Sequence, residues 1–220
     1  DLDETDFTIG FDSAVALATE LIDNIHTTAE SHHRVMIVEV MGRYTGWLAL
    51  YAGVAGGGDV ILIPEIPFDT KKVCQELNRR SKIGKRFSIV VLAEGVKLPG
   101  SELVIKRRVK GSPDPIRLGG VGYRLAEQIE GLTDLETRVI ILGHLQRGGK
   151  PTDFDRILAT QFGKKAVDLA MDEKFGYMTS LKGGTITSVP IESSIAKLKT
   201  VPPDFPLIQG ARAVGTCFGD

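Results

Sequence analysis

The stretch Arg34-Val-Met-Ile-Val-Glu-Val-Met-Gly-Arg43, continuing into Tyr44-Thr-Gly-Trp47, decides how the rest of the chain is read. Val35 to Val40 is a short apolar run rich in β-branched residues, the length and composition of a buried strand. It stops at Met41-Gly42-Arg43, where a glycine lets backbone approach a ligand and a guanidinium stands beside it. In open α/β sheets ligands gather beyond the carboxyl ends of the strands. Arg43 is therefore placed for an anion, and its planar fork matches phosphate or carboxylate oxygens.

Upstream, Phe11, Val15, Ala18, Ile22 and Ile25 recur at helical spacing and predict an amphipathic helix over Asp12–His26, with Asp12 or Ser13 as its cap. His26 to Arg34 then reads as a polar loop. Downstream, Trp47–Val54 predicts a helix that Gly56-Gly57-Gly58 stops, and Val60–Ile63 a short strand closed by Pro64-Glu65. Asp69–Arg80 follows as a helix and Phe87–Ala93 as a third strand ending in Glu94-Gly95. This is the rhythm of an α/β fold, a parallel sheet sandwiched between helices. It fails from Val96 to Leu118, where Lys97, Lys106, Arg107, Arg108, Lys110 and Arg117 mix with Gly111, Pro113 and Pro115. A solvated surface excursion is expected there, with an oligomer contact or lid as the alternative. A helix over Gly122–Ile129 and a fourth strand over Thr137–Leu142 then lead into Gly143-His-Leu-Gln-Arg-Gly-Gly149. A helix from Phe154 to Ala170, strand-like Tyr177–Leu181 and Thr185–Val189, a short helix near Ile195 and a tail helix over Phe205–Val214 complete the pattern.

With 220 residues, 42% of them hydrophobic, the chain can bury a sizeable core. Its formal net charge of -1 gives no global pull toward nucleic acid or anionic membranes, so an anion site has to be assembled from locally gathered arginines. Cys74 and Cys217 lack metal-ligand spacing and read as reduced and structural, which favours the cytosol. The four histidines show no ligand spacing either, so no metal site is read from the residues themselves. No apolar run reaches membrane-spanning length. Asp1-Leu-Asp-Glu-Thr-Asp has no initiator methionine and reads as the middle of a loop, so a fragment is expected.

Several strands end in polar side chains: Glu39 with Arg43, Glu65, Glu94, and His144 with Arg147. Any one of these marks only a return to solvent, but together at one sheet edge they would line a common rim, where an α/β protein keeps its site. Arg43, Arg138 and Arg147, with Arg34 on the approach, are candidate phosphate ligands, since bidentate charge-assisted hydrogen bonds need this side chain. For Arg138, two residues after Glu136, a local ion pair is the competing role. His144 opens a glycine-rich turn directly after an apolar strand, and Glu94 is placed to accept hydrogen bonds from hydroxyls.

Val38-Glu-Val-Met-Gly-Arg43 with Gly46, the Pro64-Glu65 strand end, and above all Leu142-Gly-His-Leu-Gln-Arg-Gly-Gly149 followed by Pro151-Thr-Asp-Phe-Asp-Arg-Ile-Leu-Ala159 resemble the 6-phosphofructokinases along the whole chain. The resemblance implies a glycolytic phosphotransferase that phosphorylates fructose 6-phosphate at its 1-hydroxyl with ATP or pyrophosphate, aided by Mg²⁺, in a cytoplasmic homodimer or homotetramer. It implies two Rossmann-like lobes, one of them incomplete. Residues 1–10 would be a remnant of the donor-lobe catalytic loop, 11–145 with about 201–220 the sugar-phosphate lobe, and 146–200 the second part of the donor lobe. Asp1 would match the last aspartate of the family's Thr-Ile-Asp-Asn-Asp motif, a catalytic position shared with Arg43 beside the transferring phosphoryl group. Met41, Gly42 and Arg43 would contact the substrates, Glu94 the sugar hydroxyls, and His144 and Arg147 the 6-phosphate, with Leu145 and Gln146 in the same substrate-contacting turn. Arg34 and Arg138 would reach that phosphate from a neighbouring subunit.

The family's glycine-rich donor loop, its Gly-Gly-Asp magnesium motif and its base aspartate would lie upstream of Asp1, so the chain alone is expected not to catalyse the reaction. Trp47 after Gly46 and the extended basic loop resemble the pyrophosphate-using or mixed-donor branches, and His26 stands where regulated members place an effector-binding arginine. Donor and allosteric control are therefore both open. The competing function is a non-catalytic sugar-phosphate-binding or regulatory module that keeps the arginine rim. A nicotinamide-dependent dehydrogenase ranks third, for want of the glycine fingerprint and its acidic ribose ligand.

Overall fold

The computed structural model describes residues 2–32, 34–101, 103–108 and 116–220. In chain order the elements are α1 (Phe11–His32), β1 (Val35–Val40), α2 (Trp47–Ala55), β2 (Val60–Leu62), α3 (Thr70–Lys82), β3 (Ser88–Ala93), β4 (Ile105–Arg108), β5 (Ile116–Leu118), α4 (Val121–Leu132) and β6 (Thr137–Ile141). A 3₁₀ turn (Gly143–Arg147), α5 (Asp153–Met171), β7 (Tyr177–Lys182), β8 (Thr185–Pro190), α6 (Ile191–Ile195) and α7 (Pro206–Ala213) follow.

Four strands form one parallel sheet in the order β2-β3-β1-β6. Every residue of β1, β2 and β3 is buried, which is why they read as continuous apolar runs: helices cover both faces of a parallel sheet. Side chains alternate between those faces, and registered neighbours share one. Ile61 and Val91 are paired and lie under α2, where Gly53 leaves no room for a Cβ; Ile37 and Val139 are paired on the other face under α4, at Gly122.

Two expectations are corrected here. Helix α1 runs on to His32 instead of giving way to a loop at His26. Its buried stripe of Ile22, Ile25 and Ala29 continues past that point, and the Thr27 hydroxyl folds back to donate to the Asn24 carbonyl, so polar composition did not end the helix. His26 itself is tied down, its Nε2 2.7 Å from the Gly56 carbonyl oxygen and its ring edge-on to Phe87. In the basic stretch expected to be an unstructured excursion, β4 and β5 pair as an antiparallel ribbon. Lys110, Gly111, Pro113 and Pro115 lie outside the described residues.

Beside the main sheet stands a hairpin, β7 with β8, against which α5 packs. The chain's first segment belongs to this part of the molecule. Asp6 N–H donates to Leu181 O at 2.7 Å, Leu181 N–H donates to the Thr5 hydroxyl at 3.0 Å, and Lys199 Nζ donates to Thr5 O at 2.6 Å. The indole N–H of Trp47 donates to Lys199 O at 2.7 Å and so ties the hairpin's exit to α2. Both cysteines are free thiols. Among the described residues no helix is long and apolar enough to cross a membrane.

Candidate functional site

β1 and β3 run side by side and stop together, and glycine lets their ends touch. Glu94 N–H donates to Val40 O and Gly95 N–H to Gly42 O, both at 2.9 Å. A Cβ on Gly95 would stand 1.8 Å from the Arg43 carbonyl oxygen, and one on Gly42, at φ +148°, would stand 2.7 Å from Thr45 O. Neither position has space for a side chain, so the Met41–Arg43 turn is laid directly against Glu94-Gly95. Arg43 also lies over the Tyr44 ring, 5.7 Å from its centroid.

Burial pushes the Glu94 carboxyl above its ordinary 4.5; the Gly42 N–H that hydrogen-bonds it draws it back, nearby Glu39 adds to the rise, and the charges of Arg43 and His144 oppose it. A carboxyl raised in the folded state makes its stabilising contribution in full below the unfolded value, and that contribution is lost as pH rises through the folded one. Glu94→Gln is therefore expected to raise the melting temperature near pH 7 and to flatten its decline above about pH 4.5, the ordinary carboxylate range. Thermal unfolding of both proteins across that range checks this, and a Glu94→Gln curve parallel to wild type would contradict it.

β6 delivers the third part. Leu142 N–H donates to Glu39 O at 3.0 Å as the strand ends, and the 3₁₀ turn folds back toward Met41. Gln146, 3% exposed, accepts the Met41 N–H on Oε1 at 2.8 Å. Met41, Gly42, Arg43, Glu94, Gln146 and Arg147 thus line one cavity of about 980 Å³, within the range of small-molecule sites. Three strand ends converge on it, bringing two guanidiniums and one carboxyl.

The facing wall comes from the segments around the starts of α1 and α5, outside the candidate site residues. Thr8, Gly10 and Ser13 at the start of α1, with Asp155 and Arg156 of α5, close the far side. Asp155, 3% exposed, accepts from Gly10 N–H and Ser13 N–H at 2.8 Å each and from the Ser13 hydroxyl. It caps α1 from another helix, where Asp12 or Ser13 was expected to do so. Asp12 instead accepts from the Thr152 hydroxyl, while Thr152 caps α5. The signal in the sequence was Thr152 followed by Asp153 and Asp155, a helix start with acid to spare, but its partner lies more than 140 residues away.

Other residues of the expected rim stand elsewhere. Glu39 is buried and accepts from the Gly120 and Gly122 amides, bracing the start of α4, and Glu65 accepts from Gly46 and Val201. Both carboxylates are spent on backbone that loops past the strand end, so neither lines the cavity. His144 and Leu145 are exposed on the outer side of the 3₁₀ turn, with His144 near enough to Glu94 to act on its charge. Arg34 and Arg138 sit at the amino edge of the sheet, about 20 Å from the cavity by the length of β1. Arg34 Nε pairs with Glu136 at 2.7 Å, and Arg138 pairs with the same carboxylate. Asp1 lies outside the described residues. Among the described residues no group of three or more His, Cys, Asp or Glu is arranged to hold a metal ion.

Comparison with known proteins adds three findings. The family model described as Phosphofructokinase matches residues 1–170. The chain is 52% identical over 216 residues, 98% of its length, to a protein of Spirochaeta thermophila named ATP-dependent 6-phosphofructokinase, and 52% identical over 203 residues, 92% of its length, to one of Streptomyces coelicolor named pyrophosphate–fructose 6-phosphate 1-phosphotransferase. It spans 59% of the length of each of these relatives. In structure it resembles the pyrophosphate-dependent phosphofructokinase of Nitrosospira multiformis, with a TM-score of 0.79 at 22% identity, covering 100% of this chain and 58% of that one.

Proposed function

The chain belongs to the phosphofructokinase family, and on that premise we propose that its cavity binds fructose 6-phosphate and that the complete protein phosphorylates the sugar's 1-hydroxyl. One observation carries the reading: Met41–Arg43, Glu94 and Arg147 come from three separate strand ends and face the same cavity. Arg147 supplies a bidentate donor for the 6-phosphate, and Glu94, ionised, accepts hydrogen bonds from sugar hydroxyls. Arg43, beside Glu94, is placed where the transferring phosphoryl group gathers charge. Phosphoryl transfer asks the protein for positioning and charge neutralisation more than covalent participation, which fits a site rich in arginine.

Relatives named for ATP and for pyrophosphate are equally identical to this chain, so the proposal carries either donor. Magnesium would neutralise phosphate charge in that reaction. Residues 4–6 hydrogen-bond to the β7–β8 hairpin, which supports grouping the first ten residues with 146–200 as the donor side and leaving the main sheet to the sugar phosphate. Arg34 and Arg138, at the far edge of the sheet, are read as reaching the 6-phosphate of a neighbouring copy in a homodimer or homotetramer. The free cysteines suit a cytoplasmic protein.

Calorimetric titration tests the core of this. Fructose 6-phosphate is expected to bind the full-length protein roughly a hundredfold or more tighter than fructose, because the phosphate contributes the charge-assisted contacts. Equal affinity for the two sugars would refute the assignment. A coupled assay for fructose 1,6-bisphosphate with each donor then establishes the reaction.

A further inference from the structure

Gln146 holds an unusual position. Its side chain is buried, its Oε1 accepts the Met41 N–H at 2.8 Å, and its carboxamide nitrogen is sealed from solvent with no hydrogen-bond partner among the described residues. The orientation is fixed, because a backbone N–H demands an acceptor and only the oxygen end of the amide provides one. Met41 opens the turn that carries Arg43, and Gln146 is the residue before Arg147.

We propose that Gln146 is a positioning residue that locks the turn bearing Arg147 to the turn bearing Arg43, so that the two guanidiniums are held at a fixed separation across the cavity. This rests on the sugar-phosphate reading above. The Met41–Arg43 turn is otherwise laid on β3 through Gly42 and Gly95, on the side away from the 3₁₀ turn. The Met41–Gln146 bond adds a side-chain tie across that gap. The unpartnered Nε2 is a cost, and the acceptor given to the Met41 N–H offsets it; an apolar residue of the same shape would remove the first and forfeit the second.

Three variants of the full-length protein separate the possibilities. Gln146→Met keeps the shape and removes both polar ends; relief of the unpartnered Nε2 and loss of the acceptor for the half-buried Met41 N–H oppose each other, so the melting temperature should change little. Amide exchange at Met41 should nevertheless speed up about tenfold, and fructose 6-phosphate affinity should fall roughly tenfold or more, since a small displacement of positioned groups is amplified in binding. Gln146→Glu keeps an acceptor for Met41 and should restore the protection of that amide. Unchanged sugar-phosphate affinity in Gln146→Met would overturn the proposal, as would a fall in melting temperature with exchange accelerating evenly over the chain. Arg147→Ala, run alongside, separates the two layers: if it too binds like wild type, the sugar-phosphate reading fails, while the Met41 exchange comparison still decides the tie.

Discussion

Arg147→Ala is expected to weaken fructose 6-phosphate binding by roughly 10- to 100-fold while donor affinity stays within about twofold of wild type. The lower figure corresponds to one charge-assisted hydrogen bond and the upper to a bidentate pair, since such bonds contribute about 1.5–3 kcal/mol and each 1.4 kcal/mol is tenfold. Arg147 closes the 3₁₀ turn and faces the cavity from the β6 side, opposite the β3 side that brings Glu94. Arg147→Lys should recover only part of the loss, because an ammonium replaces the charge without the planar fork. Titration of each ligand against each variant decides it. Equal losses for sugar phosphate and donor would move Arg147 from the acceptor phosphate to a general electrostatic role.

That the sequence alone pointed to Arg43, Glu94 and Arg147 has a physical reason. Each follows an apolar run too short for anything but a strand, and strands of a parallel sheet end at one edge, so position after the run is position on the rim. The same logic misjudged Glu39 and Glu65. Their carboxylates follow or end apolar runs just as visibly, but whether such a group meets a ligand or a passing backbone amide depends on where Gly120, Gly122, Gly46 and Val201 arrive, and no local pattern encodes that. Arg34 and Arg138 were legible in the opposite sense: both precede or begin their strands, which puts them at the amino edge. The end of α1 was misread because six polar residues concealed the buried Ala29, one helical turn beyond Ile25.

The largest expected loss of stability falls on Asp155→Ala. In the folded chain this carboxylate is 3% exposed and accepts from Gly10 N–H, Ser13 N–H and the Ser13 hydroxyl, at the positive end of a 22-residue helix. Alanine takes the acceptor from all three donors, and losing three hydrogen bonds to a charged group together costs about 3–5 kcal/mol. For a chain of this size that lowers the melting temperature by roughly 10 °C. Asp155→Asn separates charge from shape. Its oxygen still satisfies one amide, but its NH₂ group is turned toward a second donor, so it should recover less than half of the loss. The consequence reaches the cavity, because Asp155, with Thr152 beside it, joins α5 to the start of α1, contributing three hydrogen bonds on the wall facing Arg43 and Arg147. Differential scanning calorimetry of the two variants measures the effect. A melting temperature for Asp155→Ala within 2 °C of wild type, well under the roughly 10 °C expected, would mean that water replaces the carboxylate at the helix end and that the two halves of the cavity wall are held together by other contacts.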